Sequence, residues 1–329
     1  MHKLKLFATL IWLVALALFA WVCQQLPLAL LSQMLAQLNL VQWLSWIGLN
    51  LALILAATLR WWLFTQILGR TVRFWELLKL RQAGQALNFL TPGPQLGSEP
   101  LQIVYLWRHQ HLELAKALLS LSLDRFYEVW VNLAVLLLAA SILLSSAPGI
   151  NLNSLQLLGM LCIGLMALTL FAGWIAHAPE QLQYCLLKII RPWQAHPRLQ
   201  NFSHHLHSLA QELKTVLKQQ QAALVWGLLL SLLSWAGLLA ELWLLLSFLD
   251  LPITLTSFLL ILLSLRLALL LPLPGGLGSM EAALIWTFAT LDFPGTSGFE
   301  LIALMRLRDV LVILLGLVCL KRVKFNVLD

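Results

Sequence analysis

The sequence predicts an all-α polytopic membrane protein, with about seven or eight transmembrane helices and one or two broken or re-entrant segments. Three observations carry that prediction. First, 60% of the residues are hydrophobic and only 11% are charged, where a soluble domain is roughly a quarter charged. Second, several apolar runs approach or exceed the roughly 20 residues that cross a bilayer. Third, two proline–glycine stretches, Thr91–Glu99 (TPGPQLGSE) and Pro272–Glu281 (PLPGGLGSME), interrupt apolar sequence. Such stretches break a helix, and backbone left unpaired in lipid is costly, so each break must face protein or water. Both contain Pro-Gly, then Leu-Gly-Ser, then a glutamate. That parallel suggests two inverted halves whose broken helices meet around a shared site. The chain, 1–329, reads as a single transmembrane domain.

The elements follow in order. An uncleaved first helix is expected over 4–23, behind the basic start at Lys3 and Lys5. Residues 24–39 alternate Leu with Gln and read as a short surface helix. A second helix, 41–68, carries Arg60-Trp61-Trp62 near its end. Snorkelling to the headgroups accounts for that arginine, and a substrate-facing arginine is the competing reading. Arg70, Arg73, Lys79 and Arg81 form a basic cluster expected at the cytoplasmic face. Residues 74–107 read as a re-entrant or broken segment turning at Pro-Gly-Pro, with a shallow surface loop as the competing arrangement. A third helix occupies the apolar part of 112–146, after Asp124-Arg125-Phe126-Tyr127-Glu128; an ion-paired clamp and a binding site are equally open there. A fourth spans 155–176. Residues 177–221 read as a cytoplasmic amphipathic linker, rich in lysine, arginine and histidine.

Glu241 lies deep in the fifth helix, 222–248, where a lone carboxylate must face the interior or a cavity. Residues 253–291 form a broken-helix hairpin around Pro-Gly-Gly, with Arg266 in its first arm and Ser279 capping its second. The break is expected to be a positioned backbone site beside Arg266 and Glu281. The last helix, 299–320, holds Glu300, Arg306, Arg308 and Asp309 and ends at Lys321-Arg322. The distribution of cations puts both termini in the cytoplasm.

Composition also excludes function classes. The net charge of +7 follows topology, which argues against nucleic acid as a partner. Four scattered cysteines make neither a metal spacing nor a disulfide framework. His204-His205-x-His207 lacks an acidic partner nearby, so no metal is expected, and no cofactor either. No nucleophile motif or phosphate loop is present, so the chain is not expected to be an enzyme. Arginines at membrane depth suit a phosphate-bearing headgroup through their donor fork.

Asn88-x-x-x-Pro92-Gly93, Gly97-Ser98-Glu99, Leu123-Asp124-Arg125 and Pro274-Gly275-Gly276-x-Gly278-x-x-Glu281 together resemble the lysylphosphatidylglycerol synthase transmembrane family, also called flippase-like. The resemblance covers nearly the whole chain. It implies a multi-span protein of a bacterial inner membrane that translocates a lipid, with Asn88, Glu99, Asp124, Arg125, Gly275, Gly276, Gly278 and Glu281 as functional positions. Glu241, Arg266, Arg306 and Arg308 join them as embedded charges expected to bind substrate. Pro100 follows Glu99 where the family pattern has a nearby arginine, so headgroup recognition is expected to differ. The soluble aminoacyl-transferring domain of multidomain members is not expected in a sequence that ends at Asp329. The leading expectation is flipping of an anionic phospholipid, a glycolipid or a polyprenyl-phosphate-linked lipid without ATP. Membrane lipids are then the partners, with a lipid-modifying or envelope-assembly enzyme beside them. A small-solute secondary transporter and a non-transporting accessory protein are the alternatives.

Overall fold

A computed structural model describes residues 38–69, 72–90, 97–146, 152–177, 202–271 and 273–322. The expected first helix, nearly all of the surface segment after it, the 91–96 part of the first break and much of the polar linker lie outside the described residues. Ten α-helices occur among those described: α1 Leu40–Ile67, α2 Phe74–Leu90, α3 Ser98–Val104, α4 Leu114–Ser146, α5 Leu152–His177, α6 Phe202–Gln219, α7 Gln221–Ser247, α8 Leu255–Ala268, α9 Ser279–Thr290 and α10 Gly295–Arg322. The protein is an all-helical polytopic membrane protein, and most described helices fall within a few residues of their expected bounds; α4 begins at Leu114, well before the apolar stretch expected to form it, so Asp124–Glu128 lies inside the helix.

Local chemistry explains those bounds. Asn39 and Gln42 cap α1 reciprocally, side chain to backbone, at 2.8 and 2.9 Å. Thr254 and Ser257 do the same for α8. Glycine 69, at φ +90°, ends the α1 segment. The last helix begins four residues earlier than expected, at Gly295, directly after Pro294, which cannot itself donate to a helix. Helices α1, α4 and α7 are each long and apolar enough to cross a membrane. Helix α10 matches them in length, with 28 residues, and carries Arg306, Arg308 and Asp309 in its interior.

Two hairpins enter from opposite ends of the bundle. Helix α2 descends from the end where α1 finishes. Helix α3, prolonged by a π-helical turn at Tyr105–His109, returns to that end, where the Gln110 amide donates to Glu76 at 2.7 Å. Helices α8 and α9, of 14 and 12 residues, lie against one another. The end of α9 meets the start of α10, with Phe288 against Gly298, so this hairpin opens to the other end. At about 1.5 Å per residue neither arm spans a bilayer. The turn of the second hairpin meets the end of α2 inside the bundle. Helix α2 packs on the Pro274–Gly276 turn, and a Cβ on Gly275 would stand 2.6 Å from Cδ1 of Phe89.

The contact pattern has the form of an inverted repeat. Exchanging α1–α4 for α7–α10 maps α2 on α3 to α8 on α9, and α3 on α4 to α9 on α10. It also maps α2 on α10 to α8 on α4, and α1 on α7 onto itself. Small residues allow the tightest crossings. Gly227 of α7 faces the Phe64 ring of α1, and Gly316 of α10 lies against the Gln82 carbonyl and Ala86 of α2. Apolar side chains such as Leu44, Leu51, Val225, Trp226, Leu233, Val310 and Leu314 point outward, as a hydrocarbon solvent requires. Helix α6 lies outside the repeat. Its apolar stripe docks through Leu213 and Val216 onto Phe64, Leu68, Leu119 and Leu123, and its Glu212 pairs with Lys116 at 3.3 Å.

Candidate functional site at the hairpin tips

The first charge cluster joins α1, α2, α3 and α4. Asp124 is its hub, with a fully buried side chain. One of its oxygens accepts from Arg60 Nε at 2.6 Å and the other from Arg81 at 3.0 Å. Arg60 also reaches Ser231 on α7 at 3.1 Å and Glu128 at 3.3 Å. Arg125, next to Asp124 in sequence, shares Glu128 with Arg60. It donates to Glu128 at 3.0 Å and Ser98 at 3.3 Å, and lies 3.3 Å from Glu99. Three arginines thus face three carboxylates. Asp124, Arg60 and Arg81 are sealed, while Glu99, Arg125 and Glu128 remain partly exposed.

Two expectations change here. Arg60 does not snorkel; it is only 3% exposed and turned inward. Arg81 leaves the expected cytoplasmic cluster and is buried against Asp124. Both corrections have one cause. An arginine near a helix end relaxes toward water only if no carboxylate on a neighbouring helix offers a better partner.

The second cluster is built around the Pro-Gly-Gly turn. Gly275, Gly276 and Gly278 take positive φ of 57°, 63° and 82°, the region that L-residues avoid. That geometry turns the Gly275 and Gly276 carbonyls to Arg306, which donates to each at 3.2 Å. Glu281, 1% exposed, accepts from Arg306 Nε at 2.6 Å and from the Gly278 N–H at 2.7 Å. Glu281 therefore caps α9, the role expected of Ser279, whose hydroxyl instead donates to the Gly276 carbonyl at 3.2 Å. This is how the break survives at membrane depth: Arg306 and Glu281 satisfy the backbone groups that the lost helical turns leave open. Arg306 and Arg308 share Asp309, each at 2.9 Å. Arg308 also reaches Glu241 at 3.1 Å, and the Trp46 indole donates to Glu241 at 3.4 Å.

The structure gathers the expected site residues into these two groups. Asn88, Glu99, Asp124 and Arg125 gather where the described ends of α2 and α3 approach α4, and the Asn88 side chain accepts from the Ser98 N–H at 2.8 Å. Glu241, the three glycines, Glu281, Arg306 and Arg308 surround the second break. The expected neighbour of Glu281 is corrected: Arg306 takes that place, while Arg266 lies 4.7 Å over the Trp235 ring. Sequence reasoning missed Arg81, Ser98 and Ser231 as partners and two buried amides, Gln82 and Gln102. Each of these amides keeps one side-chain atom without a hydrogen-bond partner. For the glutamines, a polar residue inside an apolar helix was the available signal.

Comparison with known proteins agrees with this architecture. Residues 5–316 match the family described as the lysylphosphatidylglycerol synthase TM region. A UPF0104 membrane protein of Methanothermobacter thermautotrophicus is 24% identical over 234 residues, covering 69% of each chain. No solved structure matches. With a match that runs through both hairpins and both charge clusters, the chain belongs to the lysylphosphatidylglycerol synthase transmembrane-region family.

Proposed function

We propose that the protein moves an anionic phospholipid, glycolipid or polyprenyl-phosphate-linked lipid between the leaflets of a bacterial inner membrane. It does so without ATP and without covalent chemistry. The observation that carries this reading is the meeting of two oppositely entering hairpins, Phe89 against Gly275, between two charge clusters. Glu99, Arg125, Glu128 and Arg308 keep 20–36% of their side-chain surface exposed there. Charges in a spanning helix are expensive and mark substrate paths by default. The unmet atoms of Gln82, Asn88 and Gln102 add hydrogen-bonding capacity near the first tip for a polar headgroup. An inverted repeat supplies the means of alternation, because the two halves can exchange their packing about a fixed midpoint. The basic residues at the α1–α2 turn and after α10 orient both termini to the cytoplasm. Membrane lipids are the partners, and a lipid-modifying or envelope-assembly enzyme is the protein class that would supply or consume them.

The test is reconstitution of the full chain into liposomes carrying headgroup-labelled lipids of several classes. Headgroup movement above protein-free vesicles supports the proposal. No movement across the panel overturns it. One observation favours a second reading, a non-transporting accessory protein: nearly every arginine and carboxylate of the two clusters is paired. The same assay separates the two.

A further inference from the structure

Arg266 is the exception to that pairing. It sits in the last turn of α8, just before the second break. Among the described residues it makes no ion pair and donates no hydrogen bond. Its guanidinium lies 4.7 Å over the Trp235 ring of α7, a contact that offsets part of the cost of burying a cation. The ring face leaves its N–H edges unmet, and a guanidinium has five donors to place. Every other arginine in the two clusters has at least one carboxylate in contact.

The surroundings say what the free edge awaits. Arg266 sits in the field of Arg308, Glu241 and Glu128. Glu241 already accepts from Arg308 and Trp46, and Glu128 from Arg60 and Arg125. Both carboxylates are therefore engaged elsewhere. Arg308 is 25% exposed and has N–H groups beyond those bound to Glu241 and Asp309. Glu241 and Asp309 already balance Arg308, which leaves Arg266, among the described residues, as the arginine of this group with no carboxylate in contact. A tetrahedral oxyanion with several acceptor oxygens suits two donor forks.

We infer that Arg266, with the exposed edge of Arg308, receives one phosphate-class oxyanion between α7, α8 and α10. The phosphodiester of a lipid headgroup and free inorganic phosphate share this chemistry. The inference rests on the lipid-translocation reading only for the lipid as the source of the anion. Trp235 holds the guanidinium in place while the site is empty, and the anion takes up the open N–H groups when it arrives. Because nothing in the fold depends on a bond from Arg266, its loss removes binding and spares stability. That separates it from Arg60, Arg81 and Arg306, which hold helices together.

The experiment uses the full chain in detergent. Native mass spectrometry counts bound lipid, and thermal unfolding is followed with added phosphatidylglycerol, a phosphate-free galactosyl diacylglycerol or inorganic phosphate. The wild-type protein is expected to retain phosphatidylglycerol at about tenfold lower concentration than the phosphate-free lipid. Arg266→Gln is expected to erase that preference, Arg266→Lys to keep part of it, and Arg322→Gln, at the exposed end of α10, to leave it intact. Arg266→Gln is also expected to melt no lower than wild type. An unchanged lipid preference in Arg266→Gln overturns the inference, as does a Tm loss of several degrees in both Arg266→Gln and Arg266→Met. A stabilising shift from phosphate with none from phosphatidylglycerol keeps the anion site and assigns it to free phosphate. Retention of phosphatidylglycerol through Arg266 without headgroup movement in liposomes keeps the site and removes translocation.

Discussion

The two halves of the repeat place opposite charges at the same position. Arg60 stands as far along α1 from Leu40 as Glu241 stands along α7 from Gln221. Each reaches the long helix that closes its own half: Arg60 meets Asp124 on α4, and Glu241 meets Arg308 on α10. The wiring then diverges. In the first half a single sealed carboxylate, Asp124, is shared by arginines from two other helices. In the second half the load is spread: Arg306 and Arg308 each have a glutamate and share Asp309, and Arg306 gives two more donors to the broken backbone. The first cluster ties helices to one another, while the second ties a break to a helix. Symmetry of contacts therefore coexists with asymmetry of function in the charges.

The largest effect expected from this contrast is at Asp124. Asp124→Asn leaves two buried arginines short of a counter-charge and is expected to cost about 3–5 kcal/mol. Glu241→Gln leaves Arg308 on Asp309 and is expected to cost about 1–3 kcal/mol. Unfolding midpoints in detergent compare the two directly, and equal losses would remove Asp124 as the hub. Next comes Glu281→Gln, expected to cost about 2–4 kcal/mol by weakening the bond to Arg306 and the cap on Gly278. A variant that unfolds like wild type but moves no lipid would return Glu281 to substrate handling.

A smaller cost, about 1–3 kcal/mol, is expected for Gly275→Ala, from its left-handed backbone and the Phe89 ring. Phe89→Ala in the same chain should recover the steric part and not the backbone part. Full recovery would show that the left-handed backbone at Gly275 carries no cost of its own. Among the ion-paired residues of the two clusters, the smallest stability effect belongs to Glu99→Gln. Its pair with Arg125 is partly exposed, so a change within about 1 kcal/mol is expected. The rate or lipid selectivity of headgroup movement should nevertheless change. If movement is identical to wild type, the exposed side of the first cluster is not on the lipid path.

Much of the fold was legible because a membrane makes local sequence decisive. Helix α7 reads from a long apolar run closed by Asp250 and Pro252, and the α8–α9 hairpin reads from arms too short to cross. The two tips were marked by Pro-Gly, since nothing else interrupts backbone pairing so sharply. The site was less legible. Asp124, Glu241 and Arg266 stood out as charges in apolar context, but periodicity does not say which way an arginine leans. Arg60 and Arg81 looked like interfacial cations because each lies near basic or aromatic neighbours in sequence. Their partner lies 64 and 43 positions away along the chain. Ser279 looked like a cap because serine before Glu281 fits a common pattern, yet the glycine turn moved the cap by one residue.

By itself, then, the sequence determined the solvent, the approximate bounds of most of the described helices, the two breaks and the parallel between them. These follow from hydrocarbon burial and backbone pairing, which act over one or two turns of chain. Only the tertiary structure decided that the second break touches the end of α2, that Arg306 and Glu281 close that break, and that Arg266 is left facing an open edge. Those outcomes depend on competition among several carboxylates and arginines for short, desolvated contacts. Such a competition is settled by where whole helices pack, a quantity that no local stretch encodes.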